Sequence, residues 1–287
     1  MRWADARNDW PNSDHSEFIQ TQYVNWHVQR WGNSSKKKPT ILLLHGTGAS
    51  THSWRDLAPL LAKQHKVISI DLPGHAFTSK PPRRWMTLEG MATSIAELLK
   101  ACDAKPDYIV GHSAGAAIAI KMALLNLATP EKIFSFNGAL LPLESLSGQF
   151  FSPIAKLLIL NPFVPRLFSW RANDPAMVTA LLKGTGSKID EKGNALYARL
   201  IQNHQHAAGA LAMMASWDLD AFKRDLPKLK TPLHLVVADN DKTILPSVAH
   251  RVKILLPQAQ ITTMKNLGHL AHEEAPEQAY NIIISNL

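Results

Sequence analysis

The chain has 287 residues, a length that suits one large globular domain with a sizeable buried core. Its net charge of +8 would suit a nucleic-acid partner. The basic clusters, however, are short and scattered, at Lys36–Lys38, Arg83–Arg84 and Lys223–Arg224. We therefore expect no nucleic-acid partner. A single cysteine, Cys102, excludes an internal disulfide. No apolar stretch follows Met1–Arg7 and no run approaches the ~20 residues that span a bilayer, so we expect a cytoplasmic protein.

Short apolar runs alternate with helical patterns through the first half of the chain. Tyr23–Arg30 alternates like an antiparallel strand, while Thr40–Leu44, Val67–Ile70 and Ile133–Asn137 predict buried strands. Met86–Cys102 has the pattern of an amphipathic helix. This alternation predicts an α/β fold, with a mostly parallel central sheet, helices on both faces and functional sites at the carboxyl ends of the strands.

A Gly-His-Ser-Ala-Gly motif occupies residues 111–115, between an apolar run and a helix of small residues. This is the context of a nucleophile elbow, in which Ser113 projects from a strained strand-to-helix turn. Gly111 and Gly115 would let strand and helix approach closely. The motif indicates a serine hydrolase, with a purely structural turn as the alternative because five-residue matches also arise by chance.

The Thr40–Leu44 run opens into the loop His45-Gly46-Thr47-Gly48. Such a loop can supply an oxyanion hole, in which each backbone N–H stabilises the transition state by ~3 kcal/mol. We assign the donors to Thr47 and Ala114. The alternative is a tight turn only, and His45 itself is expected to have a structural role.

A serine nucleophile requires a histidine base and a carboxylate that orients it. Leu233–Ala238 predicts a buried strand, and the following loop carries Asp239 and Asp241. Asp241 is our choice for the acid, with Asp239 as the rival. Gln260–Met264 predicts a further strand, and His269 follows it in a turn, which makes this histidine the candidate base.

Two histidines near the end of the chain are candidate metal ligands. His269 and His272 could ligate zinc, but no third ligand has suitable spacing, so we expect neither a metal nor an organic cofactor. His272, Glu273 and Glu274 precede Pro276 and are expected to cap the closing helix.

The strand–helix alternation stops between Gly138 and about Asp220, where helical segments punctuated by proline predict a lid. The predicted domains are a core of residues 1–137 and 221–287 and a helical lid of residues 138–220. In order of preference, apolar side chains of the lid pack on the core, line an acyl pocket or touch a membrane. These side chains are Phe150, Phe151, Leu157, Leu158, Ile159, Leu160, Phe163, Val164, Leu167, Phe168 and Trp170.

The chain resembles the α/β-hydrolases in several motifs taken together. They are HGTG at 45–48, DLPGH at 71–75, GHSAG at 111–115, the Asp241 loop and LGH at 267–269. The resemblance extends over almost the whole chain from about residue 23. It implies the α/β-hydrolase fold with an inserted helical lid.

The same resemblance implies a catalytic triad of Ser113, Asp241 and His269, with Thr47 and Ala114 as oxyanion donors. Haloalkane dehalogenases and epoxide hydrolases of this fold carry aspartate at the nucleophile position. Serine at this position favours an acyl-serine intermediate instead.

A closer resemblance is to the magnesium-chelatase accessory hydrolases of bacteriochlorophyll synthesis. It rests on LLLHGTGASTHSWRDLAPLLA, GHSAGAAI, LLPLESLSGQFFSPIAKLLILNPFVPRLFSWRA, GALAMMASWDL and LGHLAHEEAPE. We predict a serine esterase that acts on a small apolar acyl ester; the alternative is a tetrapyrrole-binding or magnesium-chelatase accessory protein. Thioesterase, amidase, lactonase and C–C bond hydrolase activities share the nucleophile and stay open.

Overall fold

The computed structural model describes residues 1–32, 38–142 and 163–287. Within these ranges, eight strands form one sheet: β1 (Ser16–Gln20), β2 (Asn25–Trp31), β3 (Thr40–Leu44), β4 (Lys66–Ile70), β5 (Tyr108–His112), β6 (Lys132–Phe136), β7 (Leu233–Ala238) and β8 (Gln260–Met264). Their order in the sheet is β1-β2-β4-β3-β5-β6-β7-β8. β2 runs antiparallel to both β1 and β4, and the other pairs are parallel. The carboxyl ends of β3 and β5 to β8 consequently meet at one edge.

Helices connect the strands and cover both faces of the sheet. They are α1 (Leu57–Ala62), α2 (Leu88–Ala101), α3 (Ala114–Leu124), α4 (Phe163–Arg171), α5 (Pro175–Gly184), α6 (Glu191–Ile201), α7 (His204–Ser216), α8 (Leu219–Asp225), α9 (Ser247–Leu255), α10 (Ala271–Glu274) and α11 (Pro276–Ile284). Alternate residues of β3 enter opposite cores: Leu42 and Leu44 pack with α2 and α3, whereas Ile41 and Leu43 pack with α1 and α11. Burial on both faces explains why this strand is continuously apolar.

Strands and helices with clear apolar patterns lie within two residues of their predicted bounds. The predicted Tyr23–Arg30 strand is β2, and the predicted Met86–Cys102 helix is α2. Thr87 caps the N-terminus of α2, since its side chain accepts the Gly90 N–H at 3.0 Å. β1 was not predicted, because it is an edge strand whose five residues are exposed or only partly buried. Such a strand lacks the apolar signal on which the prediction depends.

Residues 163–228 lie between β6 and β7 in the sequence and are mainly helical; we call them the inserted segment. Its helices α5 and α6 pack on Ala49 and Leu270, next to the carboxyl edge of the sheet. Its helix α7 approaches the loop after β4 so closely that a Cβ on Gly209 would lie 1.9 Å from the Gly74 carbonyl oxygen. The inserted segment is thus tightly fitted to this edge.

Among the described side chains of α4, three apolar ones lie in solvent: Phe163, Leu167 and Trp170 are 69%, 60% and 66% exposed. Packing on the core, the preferred expectation, therefore does not account for them. The apolar residues named between 150 and 160, and the basic residues 36–37, lie outside the described residues. Across the described ranges, each helix is too short or too polar to cross a membrane.

Candidate active site

Ser113 lies in the turn between β5 and α3, at the carboxyl edge of the sheet. Its backbone has φ 51° and ψ −113°, a region that is costly for a residue with a Cβ. The Ser113 N–H donates to the Phe136 carbonyl oxygen at 2.9 Å, which ties the turn to the end of β6. This strand–turn–helix geometry is that of a nucleophile elbow.

The two glycines of the motif let the backbone pack tightly around this turn. A Cβ on Gly111 would lie 2.5 Å from the Ala116 nitrogen, and one on Gly115 would lie 2.1 Å from the Leu44 carbonyl oxygen. Because backbone atoms occupy both positions, no side chain fits there. The spacing of the glycines therefore follows from the approach of α3 to β5 and β3.

Asp241 follows β7, His269 follows β8, and their side chains are in contact. Asp241 Oδ2 lies 2.7 Å from His269 Nδ1, and the Asp241 side chain is 0% exposed. The other carboxylate oxygen accepts the N–H groups of Thr243 and Ile244 at 2.7 and 2.9 Å. A carboxylate only accepts, so the imidazole donates from Nδ1, which leaves Nε2 able to accept a proton.

Asp239, the rival acid, is exposed and points elsewhere. Its Oδ1 accepts the Asn266 N–H at 2.6 Å, and it makes no contact with the His269 ring. Of the two acids in this loop, the structure brings only Asp241 to the imidazole.

The backbone of His269 is held by two side chains that sequence reasoning did not single out. Its carbonyl oxygen accepts from His112 Nε2 at 2.9 Å and from Asn137 Nδ2 at 2.9 Å. Burial, reinforced by His272 and His269, holds the pKa of His112 well below its usual value, so this donor is a neutral imidazole. The signals were present locally, because His112 lies inside the serine motif and Asn137 ends a predicted strand.

The 45–48 loop passes beside Ser113, since a Cβ on Gly46 would lie 3.1 Å from Ser113 Cβ. Ala114 is the first residue of α3, where backbone N–H groups lack helical acceptors. Within the described ranges, neither the Thr47 N–H nor the Ala114 N–H donates to a protein acceptor. Both amides are therefore available to a ligand.

Buried neutral histidines hold this loop in place. His45 accepts the Leu72 N–H at Nε2 and donates from Nδ1 to the Gly46 carbonyl, at 2.9 and 2.8 Å. On α7, His206 accepts the Ala76 N–H and donates to the Gly48 carbonyl, at 2.9 and 3.1 Å. Burial lowers the pKa of both, that of His206 to about 4. His45 is structural as expected, whereas His206 was not foreseen.

Glu273 contradicts the expectation that it caps the closing helix. Its side chain is fully buried and accepts from Ser53 Oγ at 2.6 Å, Tyr197 OH at 2.7 Å and Arg55 Nη1 at 3.1 Å. Burial raises the pKa of Glu273 to about 7, against the opposing effect of these hydrogen bonds. Its partners come from the loop after β3 and from α6, so the sequence around Glu273 could not reveal them.

His272 and Glu274 do not cap the helix either. His272 is buried and donates from Nε2 to Ser53 Oγ at 2.9 Å. Glu274 accepts the Gly268 N–H at 2.8 Å and the Lys188 N–H at 2.9 Å, so it joins the His269 turn to the inserted segment. The capping prediction is wrong because α10 is only four residues long and no side chain caps the N-terminus of α10 or of α11.

A second set of hydrogen-bonded serine, histidine and aspartate side chains lies on β1, β2 and the loop after β4. His27 Nε2 is 2.9 Å from Ser16 Oγ, and its Nδ1 is 2.7 Å from Asp71 Oδ2. Burial alone would raise the pKa of Asp71, but His27, His45 and the Thr51 N–H together outweigh it and lower the value to about 2. Ser16 opens an edge strand in ordinary extended backbone, with no helix N-terminus beside it. These hydrogen bonds therefore do not by themselves mark a nucleophile.

The described residues 1–32, 38–142 and 163–287 hold no evident metal site. Among those residues, no group of three or more His, Cys, Asp or Glu side chains is placed to hold an ion.

The chain belongs to the alpha/beta hydrolase family, whose model matches residues 41–281. It is 33% identical to the magnesium-chelatase 30 kDa subunit of Rhodobacter capsulatus, over 96% of this chain and 95% of that protein. It is 25% identical to Lipase 1 of Psychrobacter immobilis, over 83% of this chain and 73% of the lipase. An alpha/beta hydrolase fold protein from Burkholderia ambifaria superimposes with a TM-score of 0.79 at 18% identity, covering 95% of this chain and 98% of that one. The predicted family and fold class are confirmed.

Proposed function

We propose that this protein hydrolyses carboxylic esters through an acyl intermediate on Ser113. The observation that carries the proposal is the 2.7 Å contact between His269 Nδ1 and Asp241 Oδ2, at the same sheet edge as the positive-φ turn of Ser113. Lipase 1 of Psychrobacter immobilis, a lipase by name, supports the same class of reaction.

In the first half of the reaction, His269 Nε2 takes the proton of Ser113 Oγ as that oxygen attacks the ester carbonyl. Asp241 holds the imidazole and stabilises its protonated form. The Thr47 and Ala114 N–H groups donate to the oxyanion, at ~3 kcal/mol per donor. Ser113 Oγ makes no hydrogen bond to the ring in the described residues, and such contacts often tighten only with substrate bound.

His269 then gives its proton to the leaving alcohol, whose departure ends the first half and leaves the acyl group on Ser113. In the second half, His269 Nε2 takes a proton from water as the water attacks the acyl carbonyl, and returns that proton to Ser113 Oγ as the acid leaves. These steps use only protein groups and water. The substrate class that we propose is a small ester with an apolar acyl group. We also propose that the predicted lid of residues 138–220, of which the structure describes 138–142 and 163–220, covers this substrate.

The test compares the wild type with Ser113→Ala on p-nitrophenyl esters of increasing acyl length, with circular dichroism spectra as a check on folding. We expect loss of nearly all turnover in Ser113→Ala. Ser16→Ala is the matched control, because Ser16 also bonds a histidine–aspartate pair but lies outside the proposed site. Turnover in Ser113→Ala equal to that of the control would refute the assignment.

A second function is a tetrapyrrole-binding role in magnesium insertion. It is favoured by the 33% identity to the magnesium-chelatase 30 kDa subunit along nearly the full length of both chains. Titration of a free-base porphyrin, followed by its absorbance, tests this role directly. Tight binding that survives Ser113→Ala, together with no turnover of any acyl substrate, would favour this function over the esterase.

A further inference from the structure

Behind the Asp241–His269 pair, a turn of the inserted segment contacts both loops that carry these residues. We call Thr185–Ser187, between α5 and α6, the 185–187 turn. The Thr185 carbonyl oxygen accepts the Lys242 N–H at 3.1 Å and the His269 N–H at 3.3 Å. One carbonyl oxygen thus accepts hydrogen bonds from Lys242, the residue after the proposed acid, and from His269, the proposed base.

The rest of the turn makes two more hydrogen bonds to the same loops. Ser187 Oγ accepts the Leu270 N–H at 2.9 Å, and the Gly186 carbonyl oxygen accepts from Asn240 Nδ2 at 2.9 Å. Ser187 is only 3% exposed, so water does not compete freely for its hydroxyl. The loop after β7 is therefore held on both sides of Asp241, at Asn240 and Lys242, and the loop after β8 is held at His269 itself and at Leu270.

The fit between the three backbone segments leaves no room for a side chain. Gly186 has φ +86°, and a Cβ there would lie 2.0 Å from the Asn240 carbonyl oxygen. On the other side, a Cβ on Gly268 would lie 2.2 Å from the Gly186 carbonyl carbon. The 185–187 turn is consequently wedged between the two loops, with backbone against backbone.

We infer that the 185–187 turn is a positioning element that sets the geometry of the Asp241–His269 hydrogen bond. The inference rests on the proposed function, because it explains how the proposed acid and base are kept in register. It also gives part of the inserted segment a task beyond covering the substrate. Thr185 and Ser187 act through the loops and do not touch the reacting atoms.

The test uses Gly186→Ala and its matched control Gly184→Ala. Both add one methyl group and lie only two positions apart, but a Cβ on Gly184, the last residue of α5, meets no atom within 4 Å, and Gly184 is not among the positive-φ glycines. With the ester that the wild type turns over best, we expect Gly186→Ala to lower kcat roughly 10- to 100-fold, since small misplacements of catalytic groups have effects of this size. KM should change little, and Gly184→Ala should match the wild type.

A second readout does not depend on ester turnover. A proton shared between His269 Nδ1 and Asp241 gives a far-downfield NMR resonance, which Gly186→Ala should shift or abolish and Gly184→Ala should leave in place. If the wild type hydrolyses no ester, the proposed function fails, while this resonance still tests the positioning role.

Ser187→Ala serves if Gly186→Ala does not fold. It removes the acceptor of the Leu270 N–H without adding bulk, and we expect a smaller change of the same resonance. A folded Gly186→Ala, or in its place Ser187→Ala, with the wild-type resonance would overturn the inference. So would an equal change in Gly184→Ala.

Discussion

His112 donates a hydrogen bond from Nε2 to the backbone carbonyl of His269 at 2.9 Å, so the residue before the proposed nucleophile holds the proposed base. The two imidazole rings also lie against each other, with centroids 4.7 Å apart. The strained serine turn and the histidine turn are therefore connected directly, although they lie 157 positions apart in the chain.

We predict that His112→Phe lowers kcat roughly tenfold, because only Asn137 would then hold the His269 carbonyl. The lost hydrogen bond should also cost about 1 kcal/mol of unfolding free energy. Steady-state kinetics and urea unfolding measure the two effects. His234→Phe, at a buried histidine of β7 bonded to Thr262, is the control that should lose stability but not activity. Equal kcat losses in both variants would contradict a positioning role for His112.

The two acids of the loop after β7 give a second prediction. Asp241→Asn should lower kcat by about 10⁴-fold, the effect of losing the orienting carboxylate in a serine hydrolase. Asp239→Asn should stay close to the wild type, because Asp239 is exposed and its side chain accepts a hydrogen bond from the Asn266 backbone N–H rather than from His269. Kinetics on the same ester, with circular dichroism to show that both variants fold, decide the matter. A larger loss in Asp239→Asn would exchange the two roles.

Glu273 should make stability depend on pH. Its pKa is raised from 4.5 to about 7 in the folded protein, so the folded state keeps a proton that the unfolded state releases. The contribution of Glu273 is fully present below about pH 4.5 and declines as the pH rises to about 7, by on the order of 3 kcal/mol. Glu273→Gln should remove this decline.

Urea unfolding at several pH values between these limits measures the difference between the wild type and Glu273→Gln. Taking this difference removes the effect of other titrating groups, such as His272. Burial lowers the pKa of His272 to about 3, so its contribution to the free energy of unfolding is lost in the opposite direction, as the pH falls below 6.5. A difference that is constant across the range would show that Glu273 titrates as it does in the unfolded chain.

His206 gives a further prediction, since it bridges the 45–48 loop and the loop after β4. His206→Leu removes the donor to the Gly48 carbonyl and the acceptor of the Ala76 N–H. We expect the proposed oxyanion donors to lose their alignment, with a fall in kcat of roughly tenfold. His65→Leu, at a buried histidine outside the site, is the control. An unchanged kcat in His206→Leu would separate this histidine from the loop's function.

Local patterns predicted the elements that depend on local sequence. Apolar runs gave β3 to β8, and the motif around Ser113 gave a strand–turn–helix unit, because the two glycines and the serine are neighbours in the chain. The order of the strands then placed Asp241 and His269 at the same edge of the sheet.

Other features depend on contacts between residues far apart in sequence. Ser53 and Tyr197 satisfy Glu273 from 220 and 76 positions away, and no pattern around Glu273 encodes them. The same holds for Thr185, whose role comes from a backbone carbonyl that any residue could supply. Such features follow from tertiary packing and become visible only in the folded protein.

The contact between Gly209 and Gly74 limits which helices could replace α7. Because a Cβ at Gly209 would lie 1.9 Å from the Gly74 carbonyl, a helix exchanged from a relative must also carry glycine at this position. Otherwise it would push away the loop that His206 joins to Gly48. Chimaeras built to alter substrate choice should therefore keep α7 of this chain.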